Sequence, residues 1–117
     1  MVNFVGNAAR WASVIAAALM FFGCGNAQEQ RDEAHQRVAN GAMLVDVRTP
    51  QEFAAGHIEG ARNIPVQELP SRLAELGTHD QSIVVYCASG RRSARANELM
   101  QQAGYTKVYD LGAMSNW

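Results

Sequence analysis

An uncharged, β-branched segment near the end of the chain constrains the fold more than any other feature of the sequence. Residues 82–86 read SIVVY and are followed directly by Cys87. A segment of this kind is typical of a strand that is buried on both faces, and such strands belong to parallel sheets. The sequence therefore predicts an α/β protein with Cys87 at the end of an inner strand.

The segments on either side of this strand alternate between helix and strand patterns. Strands are predicted over residues 43–47 and 107–109, and helices over residues 28–40 and 92–103, each helix being followed by a glycine. Because the connections are short, the alternation predicts a small parallel sheet flanked by helices. In open sheets of this class the ligand site lies beyond the carboxyl ends of the strands, where Cys87 is placed.

Finer predictions concern the remaining segments. A short helix is predicted from Thr49-Pro50, and residues 56–65 are interpreted as a loop. Leucines at helical spacing predict a second short helix with a proline in its first turn: Leu69, Pro70, Leu73 and Leu76. The inner side of the helix over residues 92–103 is predicted to carry Ala94, Leu99 and Ala103.

The first part of the chain has the pattern of a secretory signal. Residues 11–23 are almost all apolar, and Arg10 is the only charged residue before Glu29. The apolar segment is too short to span a bilayer comfortably. We therefore expect residues 1–27 to direct export and residues 28–117 to form one domain in the periplasm.

Two processing routes fit the end of this signal. The small residues 25–27 (GNA) suit cleavage before Gln28, which leaves a soluble protein. Residues 22–25 (FGCG) resemble the lipobox of bacterial lipoproteins, although Phe21 stands where that motif usually has leucine. In the second case Cys24 is lipidated and attaches the protein to a membrane. An uncleaved helix that buries Cys24 is a third alternative, and the sequence leaves the choice open.

Charge and cysteine content restrict the partners. The formal net charge of −1 offers no general attraction to nucleic acid or to an acidic membrane surface, so any anion binding has to be local. Within residues 28–117 Cys87 is the only cysteine, so no intramolecular disulfide stabilises the domain. A lone thiol in an oxidising compartment has to be either buried or used for the chemistry of the protein.

The segment from Cys87 to Arg92 has the chemistry of an anion site. It joins a strand to the start of a helix, where backbone N–H groups and the helix dipole favour negative charge. Arg91 and Arg92, with Arg95 one turn further on, add positive charge, and Gly90 is free to adopt positive φ. The same field should lower the pKa of the Cys87 thiol and supply a nucleophilic thiolate. The alternative is that Cys87 only fills the core.

Several motifs in order resemble the single-domain rhodanese family of thiosulfate sulfurtransferases, most closely its small exported phage-shock type. The resemblance covers residues 44–117 and includes the active-loop pattern C-x-x-G-x-R-S. The segments that carry it are residues 44–48 (LVDVR), 52–53 (EF), 56–65 (GHIEGARNIP), 85–93 (VYCASGRRS), 104–105 (GY) and 112–117 (GAMSNW).

The resemblance implies a rhodanese-like fold and a sulfurtransferase whose nucleophile is Cys87. The thiolate would take a sulfane sulfur from thiosulfate or a similar donor and pass it, as a persulfide, to a thiophilic acceptor such as cyanide. No metal and no organic cofactor is implied. The residues implied to bind the anion are Ala88, Ser89, Gly90, Arg91 and Arg92. Asp46 and Arg48 are expected to brace this loop by ion pairing.

Two other functions stay open. A phosphatase or arsenate reductase of the related fold also uses a cysteine loop, but its arginine follows the cysteine by six places, whereas Arg92 follows Cys87 by five and Ser93 is sixth. An exported binding or sulfur-carrier module without turnover would keep the fold. The sequence does not indicate the physiological donor and acceptor or the oligomeric state. No histidine is assigned a catalytic role: His57 is expected in a structural turn, and His35 and His79 in solvent.

Overall fold

The computed structural model describes residues 26–117 as a four-stranded sheet with three α-helices packed around it. In chain order these are α1 (Asn26–Ala39), β1 (Met43–Asp46), α2 (Pro50–Ala55), β2 (Arg62–Asn63), β3 (Ile83–Cys87), α3 (Arg91–Gln102) and β4 (Val108–Ala113). The predicted signal segment and Cys24 lie outside the described residues. Within residues 26–117 no helix is long and apolar enough to cross a membrane.

The sheet has the strand order β2-β1-β3-β4, and every neighbouring pair is parallel. All five residues of β3 are buried, as its sequence predicts. Because the strands are parallel, their carboxyl ends meet at one edge, where Tyr86 pairs with Asp46 and Cys87 pairs with Ala113. The predicted fold class, a small parallel sheet flanked by helices, is confirmed, and Cys87 lies at the expected edge.

The strands separate two hydrophobic cores, one on each face of the sheet. From β3, Val85 and Cys87 contribute to the core that α3 covers, whereas Val84 and Tyr86 contribute to the core that α1 covers. Full burial of one aliphatic side chain stabilises a fold by about 1.5–3 kcal/mol, so the two cores hold the helices firmly against the sheet. Since Cys87 belongs to the α3 core, its sulfur lies near the start of that helix.

α2 is a short helix whose start is defined by side-chain hydrogen bonds. The Thr49 hydroxyl accepts a hydrogen bond from the Glu52 N–H (3.1 Å), and the Glu52 carboxylate accepts one from the Thr49 N–H (3.0 Å). Pro50 occupies the first helical turn, where its missing N–H costs nothing. This reciprocal capping box satisfies two backbone donors and confirms the predicted helix start.

Two predictions of local structure are wrong. Residues 56–65 are not all loop, because Arg62 and Asn63 pair with β1 as the edge strand β2. The predicted leucine helix is instead two 3-10 helices, Leu69–Ser71 and Leu73–Leu76, since the backbone of Arg72 leaves the helical region with φ −121°. Leucines at both ends of this segment, Leu69 and Leu76, are nevertheless fully buried.

α3 buries a different stripe from the one predicted. Ala94 is exposed, and Leu99 and Ala103 are only half-buried. The fully buried residues of the helix are Ser93, Ala96 and Met100. Positions three and seven residues apart share one helical face, and Ala94 lies about 100° round the helix from Ser93. The prediction missed this face because its first member is a serine.

The two histidines predicted to lie in solvent are both exposed, and each also contacts an aromatic ring. His35 is exposed, but its ring stacks on Trp117 with the centroids 3.7 Å apart. His79 meets Tyr105 edge-on with the centroids 5.1 Å apart. Neither partner is close in sequence, so the sequence pattern contained no sign of these contacts.

Candidate active site

Cys87 lies at the end of β3 beneath the loop that leads into α3. The Gly90 N–H donates a hydrogen bond to Cys87 Sγ over 2.9 Å. Gly90 has φ of 99°, the left-handed conformation that the sequence predicts for this position and that favours glycine. Ala88 and Ser89 are exposed, whereas Cys87 itself is buried. The loop therefore folds over the sulfur and points its backbone donors at it.

The surroundings of Cys87 favour the thiolate. Burial of the thiol raises its pKa, but hydrogen bonds from the backbone and side chain of Ser93 and from the N–H groups of Gly90 and Ser89 outweigh that effect. The net result is a pKa of Cys87 below the ordinary value. Hydrogen bonds to the charged form are the physical cause, because they stabilise the anion and not the neutral thiol.

The arginines around the loop contribute less free positive charge than the sequence suggests. Arg92 is engaged by Glu52, with Nη1 to Oε1 at 2.6 Å and Nη2 to Oε2 at 3.0 Å. Arg95 is exposed and pairs with Glu98 over 3.3 Å. Among residues 26–117 Arg91 has no ion-pair partner. The expected crowd of guanidiniums is thus reduced to one uncompensated cation, and the backbone amides dominate the site.

Asp46 and Arg48 form the ion pair that the sequence predicts. Arg48 Nη2 lies 2.7 Å from Asp46 Oδ2, and both side chains are buried. The same nitrogen donates to the Gly56 carbonyl over 2.7 Å, which ties the end of β1 to the end of α2. The Arg48 guanidinium also lies 5.8 Å from the centroid of the Tyr86 ring, directly before Cys87 in the chain. The pair therefore braces the strand ends beside the loop.

His57 has the structural position that the sequence predicts. Its Nδ1 lies 2.9 Å from the Phe53 carbonyl oxygen, and its ring stacks on the Phe53 ring with the centroids 3.7 Å apart. A nitrogen that bonds a carbonyl oxygen has to carry the proton, so His57 closes the turn after α2.

Two residues of the site were not singled out by sequence reasoning, Glu52 and Ser93. Glu52 follows Thr49 at capping-box spacing, which signalled a helix start but not a partner for Arg92. The Ser93 hydroxyl donates to the Gly90 carbonyl over 3.0 Å and lies 3.5 Å from the Gly112 carbonyl oxygen. The sequence signal for Ser93 was its place directly after the two consecutive arginines, Arg91 and Arg92.

No group of three or more metal-ligating side chains occurs within residues 26–117. The chemistry of the described site comes instead from a single thiol and its hydrogen bonds. A cysteine at the carboxyl end of an inner parallel strand, held under a loop that opens a helix, is the arrangement of the cysteine-loop enzymes with an α/β fold.

Comparisons with known proteins place the chain within that class. Residues 30–117 match the rhodanese-like domain family. The chain is 44% identical over 77 residues to the uncharacterised protein YqhL of Bacillus subtilis, covering 65% of this chain and 60% of that protein. It is 36% identical over 73 residues to the thiosulfate sulfurtransferase PspE of Escherichia coli, covering 62% of this chain and 70% of that protein.

A solved structure shows the same fold. A rhodanese from Escherichia coli, determined with anions, superimposes with a TM-score of 0.63 at 33% identity, covering 66% of this chain and 92% of the other. The chain belongs to the rhodanese family, and its predicted enzyme class, the rhodanese-type sulfurtransferases, is confirmed with it. The finer likeness to the small exported phage-shock type stays a prediction.

Proposed function

We propose that the protein transfers a sulfane sulfur from thiosulfate, or a similar anionic donor, through a persulfide on Cys87 to a thiophilic acceptor. The observation that carries this proposal is the cradle around the sulfur, in which the Gly90 N–H reaches Cys87 Sγ at 2.9 Å. Thiosulfate is the donor named for the relative PspE. A cradle of backbone donors also suits the persulfide, because that product is an anion.

The proposed reaction has two nucleophilic steps. The Cys87 thiolate attacks the outer sulfur of thiosulfate, a new S–S bond forms, and sulfite leaves with the electrons of the old S–S bond. The acceptor, cyanide for example, then attacks the terminal sulfur of the Cys87 persulfide and leaves as thiocyanate. The thiolate is restored, and neither step needs a proton or an external electron carrier.

The other loop residues have distinct proposed roles. The backbone of Ala88, Ser89 and Gly90 supplies donors to the bound sulfur. Arg91, exposed and uncompensated within the described part of the chain, attracts the anionic donor to the loop. Arg92, held by Glu52, supports the start of α3 and so the position of the cradle.

Intact mass spectrometry tests the persulfide. The full chain is purified with Cys24→Ser, so that Cys87 is the only thiol, and is weighed before thiosulfate, after thiosulfate, and after subsequent cyanide. We expect Cys87 to gain the mass of one sulfur atom and to lose it to cyanide, and the Cys87→Ser variant to stay unchanged. An unmodified Cys87 at every thiosulfate concentration would refute the proposal.

The same preparation separates the rival functions. A sulfur carrier without turnover would gain the sulfur but would not form thiocyanate repeatedly when thiosulfate and cyanide are both in excess. A phosphatase would hydrolyse an aryl phosphate and leave thiosulfate untouched. Since Arg92 follows Cys87 by five places and not by the six of those phosphatases, sulfur transfer is the function that the loop supports best.

The export of the protein is part of this proposal. Residues 1–27 are proposed to direct the sulfurtransferase to the periplasm, and the apolar character of residues 11–23 supports this assignment. α1 begins at Asn26, so cleavage before Gln28 would remove its first two residues, whereas processing at Cys24 would keep α1 whole. The intact mass of wild-type protein isolated from bacterial membranes and periplasm distinguishes a lipidated Cys24 from a chain that starts at Gln28.

A further inference from the structure

The strand β4 carries a bulge opposite the end of β3, directly before Cys87. Val85 pairs with Asp110. The next residue, Tyr86, pairs with Gly112, so β4 contains one extra residue at this point. Without the extra residue Gly112 would be the partner of Cys87 itself. Bulges are rare in parallel pairs and are frequent next to active sites, where they redirect the chain. The bulge therefore sets which part of the β4 backbone lies beside the reactive sulfur.

Asp110 holds this bulge through its side chain. Its Oδ1 accepts a hydrogen bond from the Gly112 N–H over 2.9 Å. An aspartate that bonds the N–H two residues further on closes a tight local turn. Gly112 has φ of 84°, in the left-handed region that favours glycine. Since Asp110 is half-buried, water competes only in part for this bond.

The backbone of Gly112 lies against the loop that covers Cys87. A Cβ atom placed on Gly90 would be 3.7 Å from the Gly112 Cα and 3.8 Å from the Ala113 nitrogen, which is van der Waals contact. The Ser93 hydroxyl oxygen lies 3.5 Å from the Gly112 carbonyl oxygen. Gly90 and Ser93 both supply hydrogen bonds to the sulfur, and the Gly90 N–H does so over 2.9 Å. The turn at Gly112 is thus the surface against which these donors pack.

We infer that Asp110 is a positioning residue for sulfur transfer: by holding the turn at Gly112 it keeps the Gly90 N–H directed at the reactive sulfur. Asp110 acts through the backbone of the loop. A hydrogen bond to an anion depends strongly on distance and angle, so a small displacement of Gly90 would weaken it. The inference rests on the proposed function for the role of Cys87 as nucleophile and extends it to a residue outside the active loop.

The pH profile of Cys87 alkylation by iodoacetamide tests the inference, in the full chain with Cys24→Ser. Asp110→Asn and Asp110→Ala both remove the negative charge, but only asparagine keeps an oxygen acceptor for the Gly112 N–H. We expect the profile of Asp110→Ala to lie about 0.5–1 pH unit above that of Asp110→Asn, the order expected when a hydrogen bond to a charged group is weakened. Because both variants lack the charge, its loss cannot cause this difference.

The other charged groups around the strand ends are the same in both variants. They include two residues at the end of β1, one in α2 and two at the start of α3: Asp46, Arg48, Glu52, Arg91 and Arg92. Their effect on the pKa of Cys87 therefore cancels in the comparison.

Leu76→Ala tests whether any loss of stability has the same effect. Leu76 is fully buried and precedes β3, whose other end carries Cys87. This variant should be less stable in urea, but its alkylation profile should coincide with that of the wild type. Coincident profiles for Asp110→Ala and Asp110→Asn, or an equal shift in Leu76→Ala, would overturn the inference.

A further variant covers the case in which Asp110→Ala does not fold, as judged by circular dichroism. Asp110→Glu is then compared with the wild type, since both carry the charge. Its extra methylene group moves the carboxylate away from the two-residue turn, so a shift to higher pH is again expected, and coincident profiles would contradict the inference. Alkylation needs no sulfur donor. A shift would therefore stand even if thiosulfate left Cys87 unmodified, a result that would refute the proposed function alone.

Discussion

The reactivity of Cys87 is a balance between burial and hydrogen bonding at one atom. A buried thiol in an apolar core resists ionisation, and β3 delivers Cys87 to such a core. The loop reverses the outcome because its donors converge on the sulfur, with the Gly90 N–H as the closest described contact. The pKa of Cys87 is thereby lowered, which favours the nucleophilic thiolate over the inert thiol.

Removal of the Ser93 hydroxyl should make Cys87 less acidic. The backbone and side chain of Ser93 together lower the pKa of Cys87, and Ser93→Ala removes only the side-chain part. We expect the pH profile of iodoacetamide alkylation to shift to higher pH, so that at any given pH the variant contains less thiolate than the wild type.

Ser89→Ala is the matched control for that experiment. Ser89 lowers the pKa of Cys87 through its backbone N–H alone, which alanine retains. Its alkylation profile should therefore coincide with that of the wild type. An equal shift in both variants would show that general loosening of the loop, and not the Ser93 hydroxyl, sets the thiolate population.

At the scale of elements, α3 shows how packing can select a buried face different from the one that the apolar residues predict. The helix turns Ser93, Ala96 and Met100 toward the sheet and leaves Ala94 exposed. Ser93 is accommodated in the buried stripe because its hydroxyl donates a hydrogen bond to the Gly90 carbonyl over 3.0 Å. A polar residue is tolerated in a core when its hydrogen bonds are satisfied.

The orientation of α3 is tested by one substitution on its buried face and one on its exposed face. Met100 is fully buried, so Met100→Ala should lower the free energy of unfolding by about 2–5 kcal/mol. Ala94→Gln, on the exposed side, should change it by less than about 0.5 kcal/mol. Urea unfolding measures both, and similar losses in the two variants would contradict the observed orientation.

At the scale of the whole molecule, the Glu52–Arg92 pair connects two segments that are 40 residues apart in the sequence, one in α2 and one in α3. Hydrogen bonding from Arg92, followed by that from the Thr49 backbone, lowers the pKa of Glu52 to about 2. Because the pKa is lower in the folded protein than in the unfolded chain, Glu52 stabilises the fold above pH 4.5, and this contribution is lost as the pH falls toward about 2.

Acid unfolding should therefore depend on this carboxylate. Between pH 4.5 and about 2 the melting temperature of the wild type should fall more steeply than that of Glu52→Gln, which has no proton to gain at that position. Glu59→Gln, which removes an exposed carboxylate, is the control and should follow the wild-type curve. Parallel curves for the wild type and Glu52→Gln would show that the ion pair does not contribute to folding.

The features that the sequence determined by itself are those that depend on neighbouring residues. The apolar run before Cys87, the capping residues at Thr49-Pro50 and the glycine needed at position 90 each follow from local backbone chemistry. The alternation of strands and helices then led to the parallel sheet and to the edge that holds Cys87. Its motifs also indicated the rhodanese family.

Only the tertiary structure decided which charges meet. The arginines after Cys87 looked equivalent in the sequence, yet Arg92 forms an ion pair with Glu52, and Arg91 has no ion-pair partner in the described part of the chain. In the same way, His35 stacks on Trp117, which lies 82 residues further along the chain. The burial of Ser93 in place of Ala94 belongs to the same class. Local sequence patterns indicate whether a segment forms a helix or a strand and which of its residues are buried. The pairing of distant side chains depends instead on how α1, α2 and α3 pack against the sheet.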